Sequence, residues 1–194
     1  MLGARGARSL WLGSLRVVEP PSGEPSGRVL RRGTLPGMAD DWPTVAELAA
    51  QEAELQLDGF DEDRAWALGV ALVEEARRRG AGVVVDIDLA GRRLFHAALP
   101  GTAPDNDEWI RRKGNVVRRF GRSSLHVGRS CRDQGTTIEE KYAVPSADYA
   151  AHGGAFPLLV RGVGPVGVVA VSGLPQLEDH DLVVSVLRAH LASG

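Results

Sequence analysis

His152-Gly153-Gly154 stands directly before an apolar, strand-like run that begins at Phe156. Two glycines in series can take positive φ and expose their N–H groups as a small anion-binding nest, with the imidazole at its lip. The same residues also serve as a helix stop after Tyr149-Ala150-Ala151, with Gly153 at the left-handed cap. Lys113 is the second candidate. It falls on the apolar face that Trp109, Ile110, Val116, Val117 and Phe120 define, one helical turn from both Trp109 and Val117. An ammonium there either passes the ring of Trp109 to reach water, or enters a pocket and pairs with an acid or a ligand carboxylate. Gly114 beside it weakens the helix and points to close approach by another backbone or a ligand. Asp179-His180 is the third candidate. Acids at a helix start are stabilised by the dipole without any chemistry, yet a histidine beside an aspartate also has the form of an acid-oriented general base.

Other chemistries are poorly served. The histidines lack the i,i+4 spacing of a dedicated zinc site, so no metal is expected, and no phosphate loop or dinucleotide fingerprint occurs. Ser123 and Ser124 have no local base to activate them. Cys131 is the sole cysteine, which excludes an intrachain disulfide and fits a reducing, cytoplasmic compartment. Asp105, after Pro104, reads as a helix cap, and His96 as hydrogen-bonded filler in a strand. A formal net charge of -2 and a pI near 6.2 give no global attraction to nucleic acid or anionic lipid. No apolar run reaches the ~20 residues of a spanning helix, so no membrane partner is expected.

The elements that must position these side chains follow from periodicity. Residues 1–41 carry six arginines and a Pro/Gly/Ser cluster at 20–27, and are expected to be a disordered extension, with Met38 near the start of the patterned chain. Residues 42–194 are expected to form a single domain. Within it, Thr44 to Leu57, Asp61 to Arg79, Asp105 to Phe120 and Leu177 to Leu191 read as helices. Two strand pairs stand between them. Gly82 to Leu89 and Arg93 to Ala98 flank the turn Ala90-Gly91-Arg92, while Phe156 to Arg161 and Val166 to Ser172 flank Gly162-Val163-Gly164-Pro165. Hairpins interleaved with helices predict an α+β domain, an antiparallel sheet with helices packed on its faces.

Three segments carry a family likeness. They are His152-Gly153-Gly154-Ala155-Phe156-Pro157 with Gly164-Pro165-Val166-Gly167-Val168-Val169-Ala170-Val171-Ser172-Gly173, then Glu178-Asp179-His180, and internally Gly101-Thr102-Ala103-Pro104-Asp105-Asn106-Asp107-Glu108-Trp109-Ile110-Arg111-Arg112-Lys113. Over residues 43 to 193 the chain resembles the haem-degrading-domain family of HbpS-like and GlcG-like proteins, most closely its bacterial and fungal branch. The resemblance implies a profilin-like fold, self-assembly into a homo-oligomer, and binding of haem or another small anionic ligand.

Three functions are therefore open. The first is a ligand-binding module that uses His152, Gly153, Gly154, Lys113, Trp109, Asp179 and His180. The second is an oligomeric assembly or partner-binding protein without catalysis. The third is an enzyme with His152 or His180 as general base, although no nucleophile, metal or cofactor motif accompanies it.

Overall fold

The computed structural model describes residues 42–192, so the expected disordered extension lies outside the described residues. The elements run α1 (Val45–Glu54), β1 (Gln56–Leu57), α2 (Glu62–Arg78), β2 (Val84–Leu89), β3 (Arg92–Ala98), α3 (Pro104–Phe120), α4 (Ser124–Asp133), α5 (Ile138–Tyr142), β4 (Ala155–Val160), β5 (Gly164–Ser172) and α6 (Gln176–Ala192). The strands form one sheet in the order β1-β4-β5-β2-β3. Both hairpins are antiparallel, as is the β2–β5 contact that joins them, whereas β1 pairs parallel with β4.

Alternation along β5 explains the layering. Val169 and Val171 face a core shared with Leu68 and Leu72 of α2 and Leu182 of α6. Val168 and Ala170 point the other way, onto Ile110 and Val117 of α3. Helices thus cover both faces of the sheet, as an α+β, profilin-like arrangement requires. A satellite cluster of Val116, Val127, Cys131, Ile138 and Val144 seats α4 and α5 behind α3.

Several local expectations change. Helix α1 ends at Glu54, because Gln56 and Leu57 leave it to pair with Leu159 and Val160. No helix precedes His152. Residues 150–152 have no regular structure, so Gly153 is not a helix cap, and of the two glycines only Gly154 has positive φ, at 117°. Nor does Asp105 cap α3. Ala103 is the cap residue, its N–H donating to Asn106 Oδ1, while Asp105 accepts from Trp109 Nε1 at 3.0 Å.

Candidate functional site

Helix α3 lays Lys113 against the carboxyl end of β5, and the first turn of α6 brings Asp179 to the same place. Lys113 is only 3% exposed. Its Nζ donates to Asp179 Oδ2 at 2.8 Å and to the carbonyl of Val171 at 3.2 Å. The other carboxylate oxygen of Asp179 accepts from the N–H of Leu174 at 3.0 Å, which fixes the turn that launches α6. Burial pulls the Lys113 pKa down and pushes the Asp179 pKa up, and their mutual ion pair opposes both shifts. Of the two sequence alternatives for Lys113, the structure thus shows pairing with an acid rather than escape to water.

The two glycines are present for close approach. A Cβ on Gly154 would lie 2.4 Å from the Val171 carbonyl and 2.8 Å from Lys113 Nζ, and one on Gly153 would lie 2.0 Å from the Gln176 carbonyl. Removing both side chains lets the strand leading into β4 press onto the ion pair and the α6 turn.

Above the pair opens a groove of about 790 Å³. Trp42, Trp109, Leu174 and Pro175 form its apolar walls; Lys113, Asp179 and Ser172 lie at the polar floor; His152 stands on the rim. The His152 ring meets Trp109 edge to face, with centroids 5.2 Å apart and planes at 78°. One side of the imidazole is open to water. On the other, lost hydration and then the Lys113 ammonium lower its pKa below the ordinary histidine value, which favours the neutral ring at pH 7.

His180 faces elsewhere. It is 4% exposed, does not line the groove, and its Nε2 donates to Gln51 Oε1 at 2.9 Å. Its Nδ1 meets no hydrogen-bond partner among the described residues, and burial pushes its pKa down to about 4. The neighbouring Asp179 is committed to Lys113, so it does not orient this imidazole.

The remaining sequence candidates are tied into the scaffold. His96 lies between Asp86 at 3.0 Å and Asp107 at 3.4 Å, and His126 contacts the buried Glu52. Ser124 Oγ bonds the backbone of Ala155, and Cys131 is buried with its thiol pKa raised by desolvation. Among the described residues no group of three or more His, Cys, Asp or Glu could hold a metal ion.

Sequence reasoning missed several groove residues. Trp42 precedes the first helix, and Leu174 and Pro175 lie between the end of β5 and the start of α6, outside every element that the periodicity marked. Behind the groove wall, the Arg112 guanidinium lies 4.1 Å from the centroid of Trp109. Arg132 stands over the second indole, Trp42, at 4.5 Å. An arginine three residues after a tryptophan on one helix was the available signal for the first of these.

Residues 60–188 match the family model described as haem degrading protein HbpS-like. The chain belongs to the HbpS-like family. A UPF0303 protein of Streptomyces coelicolor is 59% identical over 146 residues, covering 75% of this chain and 92% of the relative. One from Edwardsiella ictaluri is 53% identical over 147 residues, covering 76% and 94%. The crystal structure of the Ybr137w protein superposes with a TM-score of 0.72 at 36% identity, over 77% of this chain and 88% of that one. A PduOC:heme complex shares the HbpS-like fold at a TM-score of 0.57 and 20% identity, over 69% and 94% of the two chains. Among the described residues no helix is long and apolar enough to cross a membrane.

Proposed function

We propose that the groove between α3 and the first turn of α6 is a small-molecule site for a flat, largely apolar ligand, haem being the first candidate. The observation that carries this reading is His152, a half-desolvated imidazole set against an indole at the lip of a cavity of about 790 Å³, within the ~300–1,000 Å³ range of ligand sites. Membership of a family described as haem degrading supports it, as does the fold shared with a protein solved as a heme complex.

The donor set suits such a group. A bound haem would supply an iron centre able to accept a nitrogen ligand, and His152 would offer the lone pair of its neutral ring. Trp109 and Trp42 would cover the macrocycle and exclude water, while Lys113 and Asp179 hold the floor rigid. Because burial and Lys113 lower the His152 pKa, the imidazole stays available through neutral pH and is lost as pH falls through that lowered value.

Hemin titration tests this. A saturable Soret shift is expected at micromolar hemin and should be lost or much weakened in His152→Ala. An unchanged shift in that variant would remove His152 from the site, and no shift in the parent protein would remove the haem reading.

A second reading, self-association, has its own observation. Strand β3 is an outer strand of the sheet, and Trp66 of α2 packs beside Phe95 of β3 with centroids 5.7 Å apart while remaining 66% exposed. An exposed indole next to an outer strand is a surface that a second copy could cover.

A further inference from the structure

We infer that Arg112 reads a carboxylate on the ligand of this groove, so that the site takes planar aromatic or tetrapyrrole anions in preference to their neutral counterparts. The inference rests on the groove being a ligand site and adds the chemical class it selects.

The floor cannot make that selection. Lys113, the cation first expected to meet a ligand carboxylate, already has Asp179 at 2.8 Å and the Val171 carbonyl at 3.2 Å. Its charge is matched inside the protein, and an entering anion would meet Asp179 as well as the ammonium.

Arg112 is placed differently. Its neighbours on α3 carry acids: Arg111 pairs with Glu108 and Asp148, and Arg118 with Asp88. The polar contact of Arg112 on its own helix is a long one, from Nε to the Glu108 carbonyl at 3.4 Å, and no carboxylate pairs with it among the described residues. Arg119 shares that lack, but it lies over Phe120 and Tyr149, rings that do not line the groove.

The Arg112 guanidinium carbon lies over the Trp109 ring, 4.1 Å from its centroid, and its terminal Nη groups have no hydrogen-bond partner among the described residues. A guanidinium fixed by an indole is organised in advance for two-point bonding to a carboxylate, which loses less side-chain freedom than a mobile arginine would. Its position is also electrostatically close to the rim. After burial and Lys113, the charge of Arg112 is among those that depress His152. His152 and Arg112 thus both pack on Trp109, an indole of the groove wall, so a carboxylate that reaches Arg112 would sit beside that apolar wall rather than at the floor.

Hemin and its dimethyl ester, in which both carboxylates are neutral, separate the alternatives when titrated into the parent protein, Arg112→Gln, Arg112→Lys and His152→Ala. The parent protein should prefer hemin by roughly ten- to a hundredfold, the range expected for hydrogen bonds to a charged group. Arg112→Gln should lose most of that preference while its affinity for the ester stays the same, and Arg112→Lys should keep part of it. Equal affinity of the parent protein for both compounds, or a full preference retained in Arg112→Gln, overturns the role of Arg112 and leaves the groove reading intact. Binding of neither compound overturns both, and His152→Ala should weaken hemin and the ester alike.

Discussion

His180 shows at the scale of one residue how adjacency in the sequence differs from contact in the fold. Its place beside Asp179 had the form of an acid-oriented base, but helix geometry turns consecutive side chains about 100° apart, so the two face different neighbours. Asp179 turns to Lys113, and His180 turns to Gln51 and Phe156. A neutral, buried imidazole has a thermodynamic consequence. The unfolded chain takes up its proton near 6.5, whereas the folded protein resists until about 4. This contribution to stability is complete above 6.5 and is lost as pH falls through the interval down to about 4, amounting to roughly 3 kcal/mol at about 1.4 kcal/mol per pKa unit. Urea unfolding across that interval should show the loss in the parent protein and a clearly shallower one in His180→Gln, which keeps a donor for Gln51 and cannot titrate. Equal slopes in both would place the acid sensitivity elsewhere.

At the scale of elements, α3 and α6 are joined through the sheet by the Lys113–Asp179 pair. Lys113→Met would leave Asp179 buried without its counter-charge, at a cost of about 3–5 kcal/mol, while adding Asp179→Leu to that variant should recover most of the loss. Denaturant midpoints of the single and double variants measure this, and a single variant within about 1 kcal/mol of the parent protein would show that the pair contributes little. The long elements were legible in the sequence. Asp61 capped α2, β2 and β3 flanked a glycine turn, and α3 ended at Gly121. The short ones were not. Helix α4 contains Gly128, where a Cβ would lie 2.1 Å from the Ala151 carbonyl, so its sequence answers to a neighbouring segment more than to helical propensity. Helix α5 has five residues held by the Thr137–Glu140 capping box, and β1 has two residues that are a strand only because β4 lies alongside.

For the whole described domain, the order β1-β4-β5-β2-β3 makes the site, because it sets the carboxyl end of β5 between α3 and the start of α6. The sequence put Lys113 and Asp179 on separate helices and marked the glycines between them. It could not bring them together, since they stand 66 positions apart with two further strands between them, and their convergence depends on the sheet order. The same order leaves β3 outermost beside Trp66, and light scattering should find an assembled parent protein and a smaller species for Trp66→Lys; identical masses would take that surface out of any interface. The groove also gives the protein an optical property. Of its four tryptophans, Trp42 and Trp109 stand in the groove wall while Trp66 lies out on α2. A ligand that absorbs in the near ultraviolet or the Soret region should therefore dim part of the protein's own emission as it enters, and occupancy becomes readable without any label.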